Sequence, residues 1–368
     1  MKYKIITFGC QMNKSDSERI AAVLEKMGYR KASQKNEKEA DLIVVNMCSV
    51  RQSAVDRVFG LIPKFQKLKN KNPQIKTILT GCLLNEDRKK LSQYFDLILK
   101  IKDLPNWPKI IKKKLIKPLA IKPLTGCKYL KIKPRYQNKD IAFIPISTGC
   151  GNFCSYCVVP FTRGPLICRD HREILKEVKN AIKSKKKEIW LLGQNVNNYQ
   201  SPTNTSINFA KLIKMINDLP GNFKFFFTSP HPKNFSNELI NVLAQSEKFG
   251  KYLNLPVQSG DDQILKKMNR NYSVKEYKAL VEKIRKKIPD IKLSTDVIVG
   301  FPGETKKQFQ NTVKLFKEIK FANAYIAKYS PRLGTMAAKL KDNIPYSEKL
   351  KREKILRELI KNEKIEKI

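Results

Sequence analysis

The chain has 368 residues, enough for two hydrophobic cores of ordinary size. Hydrophobic residues make up 41% of it, yet no run approaches the ~20 consecutive apolar residues that span a bilayer, which excludes a membrane-spanning helix. Lysine and arginine number 74 against 33 acids, a formal net charge of +41 that points to a polyanionic partner such as nucleic acid.

The amino-terminal stretch up to Cys10 has too short an apolar run for a signal peptide and reads as a strand, so a cytoplasmic location is expected. Thiols stay reduced there, and the eight cysteines point to metal binding rather than a disulfide framework. Ile5-Ile6-Thr7-Phe8 is followed by Ser15-Asp16-Ser17-Glu18 and a helix through Met27. Leu42-Ile43-Val44-Val45 precedes a helix after Cys48, and Thr77-Ile78-Leu79-Thr80 one after Cys82. This alternation predicts a parallel sheet with helical crossovers. Each strand ends at or just before a cysteine. Ligands of open α/β sheets bind beyond the carboxyl ends of strands, so Cys10, Cys48 and Cys82 are expected to converge despite their separation.

Residues 100 to 135 hold eleven lysines, one arginine, five prolines and a single acid, Asp103, which reads as a basic linker extending to about residue 138. A second alternation follows. Strand candidates fall at Ala142-Phe143-Ile144, Glu188-Ile189-Trp190-Leu191-Leu192, Lys224-Phe225-Phe226-Phe227, Tyr252-Leu253-Asn254-Leu255, Ile291-Lys292-Leu293-Ser294 and Asn323-Ala324-Tyr325-Ile326-Ala327. Six βα units predict an open, partial (β/α)6 barrel, and a charged amphipathic helix runs from Pro345 to Ile368. The expected organisation is an α/β domain over 1–125, a barrel over 139–335 and a helical tail over 336–368.

Cys150, Cys154 and Cys157 form a Cys-x3-Cys-x2-Cys loop directly after the first barrel strand, at the rim where barrel enzymes keep their chemistry. Three thiolates on one loop hold three irons of a [4Fe–4S] cluster and leave the fourth open to an external ligand. In enzymes of this class that ligand is S-adenosylmethionine (SAM). A structural zinc site normally wants four protein ligands; only Cys168 is near enough, and the chain has just two histidines, His171 and His231. Cys127 and Cys168 read as ordinary thiols. Three cysteines at equivalent strand ends favour a second cluster on Cys10, Cys48 and Cys82. Gly193, Gln194 and Asn195 follow the second barrel strand and suit a polar ligand such as SAM, glycine by close backbone approach and the amides by donating and accepting. The segment from Asp296 to Thr305, after the fifth strand, has the same character. No phosphate cradle of the G-x4-G-K-[ST] kind is present.

Thr7-Phe8-Gly9-Cys10-Gln11-Met12-Asn13, Val45-Asn46-Met47-Cys48-Ser49-Val50-Arg51, the run from Cys154 to Gly164, Leu191-Leu192-Gly193-Gln194-Asn195-Val196-Asn197 and Leu255-Pro256-Val257-Gln258-Ser259-Gly260 together resemble the MiaB-type tRNA methylthiotransferases. The resemblance runs from Lys2 to about Ile355. It implies an amino-terminal methylthiotransferase domain with a [4Fe–4S] cluster on Cys10, Cys48 and Cys82, and a radical-SAM core with another on Cys150, Cys154 and Cys157. It further implies methylthiolation at carbon 2 of N6-isopentenyladenosine in the anticodon stem-loop of tRNA, with an electron donor such as flavodoxin or ferredoxin, and a monomer. Related enzymes act on threonylcarbamoyladenosine or on a ribosomal-protein aspartate. A competitor of another class is a non-catalytic, zinc-stabilised RNA-binding protein. Family members usually carry a carboxy-terminal TRAM domain, which this sequence is expected to lack.

Overall fold

The computed structural model describes residues 1–33, 40–114 and 128–365. Its first part is a five-stranded parallel sheet. Strands β1 (Lys2–Phe8), β2 (Arg30–Lys31), β3 (Leu42–Cys48), β4 (Lys76–Cys82) and β5 (Leu97–Ile98) lie in the order β2-β1-β3-β4-β5. Helices α1 (Gln11–Lys26), α2 (Gln52–Lys71) and α3 (Asn85–Leu91) cross between them. The central strand β3 is buried along its whole length because both faces are covered. Its alternate residues serve two cores: Leu42 and Val44 face α1, while Ile43, Val45 and Met47 pack with Val55, Val58 and Phe65 of α2.

Helix α1 already begins at Gln11, with Cys10 as its cap and Asn13 closing the box, rather than near Ser15. Ser15, Asp16, Ser17 and Glu18 look like a helix start by composition, but they sit inside the helix and are buried. Their partners come from across the chain. Ser15 Oγ donates to the Phe143 carbonyl at 3.0 Å, Arg19 forks onto Glu177 at 2.7 and 3.0 Å, and Glu18 accepts from the Gln137 amide at 3.1 Å. The polar face of α1 is thus the seam between the sheet and the second half of the molecule, with Arg19 paired to Glu177 and Asp16 to Arg163 across it.

The described ends of the segment expected to be a basic linker are packed rather than free. Helix α4 (Trp107–Lys114) buries Trp107, Ile110 and Ile111, and Tyr129 and Leu130 are buried beyond it in the same core as α1. The lysines that suggested a solvated strip alternate with these apolar anchors. Residues 115–127, including Cys127, lie outside the described residues.

Strands β6 (Ile141–Pro145), β9 (Glu188–Leu192), β10 (Lys224–Phe227), β11 (Tyr252–Asn254), β12 (Lys292–Val299) and β13 (Asn323–Lys328) form the six predicted units. A short antiparallel pair, β7 (Ser147–Thr148) and β8 (Ile167–Cys168), brackets the cysteine loop and the one-turn helix α5 (Val159–Thr162). The outer helices are α6 (His171–Lys183), α7 (Phe209–Asn217), α8 (Asn237–Gln245), α9 (Asp262–Lys267), α10 (Val274–Lys287) and α11 (Lys306–Ile319), with α12 (Tyr346–Ile365) closing the series. The strands pair in parallel as β6-β9-β10 and β11-β12-β13. The two threes join where Phe225 bridges Phe249, its carbonyl accepting from the Gly250 amide at 3.1 Å. The result is an open, partial barrel whose strands end on the side of the cysteine loop. Among the described residues no helix is long and apolar enough to cross a membrane.

His231, buried behind the barrel mouth, gives this fold an acid sensitivity. Burial, then the nearby Arg270 and Lys233, depress it to about 3, and its Nδ1 accepts from the Lys233 amide. An imidazole that stays neutral when folded but protonates when unfolded stabilises fully above its ordinary value of 6.5. That stability is lost as pH falls from 6.5 towards 3, at ~1.4 kcal/mol per pH unit. Urea titrations at pH 7 and pH 5 are expected to show a flatter slope for His231→Asn than for the unaltered chain, and parallel slopes would disprove the assignment.

Candidate iron–sulfur and cofactor site

Cys48 and Cys82 end strands β3 and β4, and Cys10 lies two residues past the end of β1, positions at the carboxyl edge of an open sheet. Cys48 and Cys82 are register partners on neighbouring strands. Phe8 and Ala54 pack beside them, and all three cysteines line one cavity of about 620 Å³. Gly81 keeps the approach close: with φ +113°, a Cβ there would stand 2.1 Å from the Met47 carbonyl. The described cysteines are all free thiols.

Asn13 and Arg163 hold this triplet in place. Asn13 Nδ2 donates to Asn46 Oδ1 at 3.0 Å and lies 3.9 Å from Cys82 Sγ, while its Oδ1 stands 3.5 Å from Cys10 Sγ. Arg163, from the end of α5, reaches over from the barrel. Its Nε donates to Cys82 Sγ at 3.0 Å, one terminal nitrogen to Tyr129 Oη at 3.0 Å and the other to Asp16 at 2.6 Å. The hydrogen bond with Cys48 holds the Cys82 thiol below its ordinary value, reinforced by the Arg163 guanidinium. Cys48 is pushed up by the same hydrogen bond and by burial, and Cys10 by burial.

The second triplet lies on the loop between β7 and α5. Gly149 precedes it at φ +81°, and a Cβ there would stand 1.9 Å from the Pro165 carbonyl. Gly149→Ala is therefore expected to displace the loop and lower the iron content of reconstituted protein to about half, while the thermal unfolding of the metal-free chain changes less; an unchanged iron content would refute this. Arg270 stands 3.6 Å from Cys154 Sγ, and the Val159 amide 3.5 Å from Cys157 Sγ. Burial raises the Cys157 thiol to about 12 and raises Cys150 as well. Ligation must therefore overcome a desolvation cost that Arg270 and the amide partly offset.

Among the described residues, no three His, Cys, Asp or Glu side chains gather around a point where one metal ion could sit. The donor sets instead suit a group larger than one ion: three thiols each, with cationic or amide neighbours and no imidazole. Cys168 is no fourth ligand of the loop, since it pairs through β8 with Ser147 and packs against the barrel core.

Gly193, Gln194 and Asn195 meet this loop. Gln194 Oε1 accepts from the Gly149 amide at 2.6 Å, and a Cβ on Gly193 would lie 2.6 Å from Ser147 Oγ. Ser147 Oγ, Thr148 Oγ1 and both amide atoms of Asn195 are buried and have no hydrogen-bond partner among the described residues. Unpaired buried polar atoms cost ~1–3 kcal/mol each, so they fit a polar, charged ligand such as SAM seated against them.

The cavity of the first triplet continues into the barrel mouth. Trp190 and Phe226 stack at 4.7 Å, Tyr252 meets the Trp190 edge at 6.5 Å, and Asn254, Asp296 and Tyr325 extend the wall. Burial raises Asp296, and Asn254 donates to it at 2.7 Å. Asp296 opens the segment that the sequence marks for a polar ligand, whereas Trp190, Phe226, Tyr252, Asn254 and Tyr325 escaped sequence reading because alternate positions on four strands meet only after barrel closure. Arg163 and Asn13 were within reach, since both lie in the strings that flank the cysteines.

The Radical SAM superfamily matches residues 144–316, and Uncharacterized protein family UPF0004 matches residues 2–100. The tRNA-2-methylthio-N(6)-dimethylallyladenosine synthase of Clostridium botulinum (strain Hall) is 40% identical over 95% of this chain and 79% of its own length. The enzyme of that name from Acetivibrio thermocellus is 39% identical over 99% and 77%, and that from Carboxydothermus hydrogenoformans 40% over 97% and 82%. Among solved structures, the radical SAM methyltransferase TsrM from Kitasatospora setae, with cobalamin and a [4Fe-4S] cluster bound, aligns with a TM-score of 0.62 at 13% identity, covering 92% of this chain and 77% of that one. The cobalamin-dependent radical enzyme OxsB aligns at 0.61 and 12% identity, over 97% of this chain and 56% of its own length. At such identities the likeness is one of fold.

Proposed function

Because the chain belongs to the family of tRNA-2-methylthio-N(6)-dimethylallyladenosine synthases, we infer that it is a radical SAM methylthiotransferase that acts on carbon 2 of N6-isopentenyladenosine in tRNA. We propose Cys150, Cys154 and Cys157 as ligands of the [4Fe–4S] cluster that binds SAM, and Cys10, Cys48 and Cys82 as ligands of a second. When bound, SAM and the clusters supply the radical that breaks an unactivated aromatic C–H bond and the sulfur that replaces the hydrogen.

The observation that carries this reading is the cavity that Cys10, Cys48 and Cys82 share with the mouth of the barrel, whose first loop carries Cys150, Cys154 and Cys157. The chain's own residues do the placing. Gln194 ties the SAM side of the barrel to the cysteine loop, and Asn195, Ser147 and Thr148 offer it unpaired polar atoms. Arg163 keeps a positive charge against Cys82 and balances the thiolate that ligation requires. Trp190, Phe226 and Tyr252 supply an aromatic wall, and aromatic side chains are the groups on which single-stranded bases stack.

The test is mass spectrometry of tRNA nucleosides from cells lacking the native enzyme and expressing this chain. Methylthiolated N6-isopentenyladenosine is expected; its absence, or a methylthiolated threonylcarbamoyladenosine instead, refutes the assignment. Zinc without acid-labile sulfide in the purified protein would favour a structural metal role.

A further inference from the structure

The outer side of the cysteine loop carries a second hollow, of about 460 Å³, that the chemistry above leaves unused. Ser155, between Cys154 and Cys157, lines it together with Lys267, Pro302, Met336, Leu340 and Lys341. Two segments grip the loop there. Ser155 Oγ donates to the Lys267 carbonyl at 2.7 Å, the Ser155 amide to the Met268 carbonyl at 3.0 Å, and the Ala337 amide to the Ser155 carbonyl at 2.7 Å. Met336, on the wall of the hollow, is 63% exposed, and Leu340 is exposed as well. An apolar group of this kind at the surface marks an interaction site rather than a core.

The surrounding charge is mostly positive, Asp262 being an exposed acid one turn before Lys266 on α9. Lys266, Lys267, Lys339 and Lys341 are exposed, and no acid among the described residues pairs with them. Two other neighbouring acids are engaged, Asp342 by Lys349 and Glu304 by Arg352. A second copy of this chain would bring more positive charge to a positive rim, whereas an acidic partner complements it. SAM and the target base claim the barrel mouth, so an electron has to reach Cys150, Cys154 and Cys157 from the far side of their loop.

We propose that this hollow is the docking surface of a small, acidic one-electron carrier protein that reduces the centre held by the loop. One electron leaves the carrier's reduced cofactor and arrives at the oxidised centre, and no bond is made or broken. The proposal rests on the radical SAM reading.

The test compares reconstituted protein with Lys339→Glu/Lys341→Glu and Met336→Glu variants under two reductants, dithionite and reduced flavodoxin, and measures flavodoxin association by biolayer interferometry. Expected are a ~10-fold loss of flavodoxin-driven SAM cleavage, a ~10-fold weaker and salt-sensitive association, and unchanged dithionite-driven cleavage. Unchanged flavodoxin rates and affinity overturn the proposal, as does equal loss under both reductants. A dimer of the unaltered protein that Met336→Glu dissolves also overturns it, assigning the patch to a second copy. If the unaltered protein fails to cleave SAM even with dithionite, the functional reading fails, and the association measurement alone still decides docking.

Discussion

Replacing Cys150 by alanine is expected to abolish SAM cleavage altogether, whereas replacing Cys10 blocks thiolation but leaves cleavage running uncoupled. The two triplets stand on different supports. Cys150 sits on the loop that Gln194 ties to the barrel, beside the unpaired polar atoms of Ser147, Thr148 and Asn195. Cys10 caps α1, and among the described residues it has no hydrogen bond into that loop. Anaerobically reconstituted protein is expected to hold ~8 irons per chain, and each variant ~4. Measuring 5′-deoxyadenosine, methylthiolated nucleoside and iron on the same preparations checks the division of labour. Equal loss of cleavage in both variants, or ~4 irons in the unaltered protein, would contradict the two-cluster arrangement.

Replacing Arg163 by leucine is expected to destabilise the protein by ~3–5 kcal/mol and to remove the cluster at Cys82 as well. Arg163 and Asp16 form an ion pair at 2.6 Å with side chains only 2% and 0% exposed, so loss of the cation strands a buried carboxylate. Asp16 Oδ1 already has no hydrogen-bond partner among the described residues, which leaves it no alternative donor. Lysine is a poor substitute, because one guanidinium meets Cys82, Tyr129 and Asp16 in three directions that a single ammonium cannot match. Urea unfolding of the metal-free chain separates the fold from the ligation effect. The Asp16→Leu/Arg163→Leu double variant is expected to recover much of the stability but not the iron. A loss under ~1 kcal/mol for Arg163→Leu alone would show that the pair does not hold the halves together.

Much of the architecture was legible from periodicity. Strand β10 coincides with Lys224-Phe225-Phe226-Phe227, and β3, β9 and β13 match their candidates to within a few residues. These segments are apolar runs of strand length between turn residues, a local signal that needs no tertiary context. Helix α1 was misjudged at its start for the complementary reason. Composition marks Ser15-Asp16-Ser17-Glu18 as solvent-facing cap residues, and only the arrival of Arg163, Arg135 and Gln137 from distant parts of the chain makes their burial possible. At the described ends of the basic linker, lysine spacing likewise conceals the apolar positions of Trp107, Ile110 and Ile111 that enter the core.

By itself the sequence determined the kind of chemistry. Three cysteines on one short loop are set by local spacing, and three more at strand ends take their place from the direction of a parallel sheet, so both triplets can be proposed as cluster ligands without coordinates. Only the tertiary structure decided what surrounds them. The cavity that joins Cys10, Cys48 and Cys82 to the barrel mouth, the aromatic wall of Trp190, Phe226 and Tyr252, and the Arg163 bridge from the barrel to Cys82 and Asp16 all depend on residues far apart in the chain. Barrel closure sets the wall and the packing of α1 against the barrel sets the rest, across a buried polar seam where Arg19 meets Glu177 and Arg163 meets Asp16, and a linear pattern of residues does not record which charge answers which.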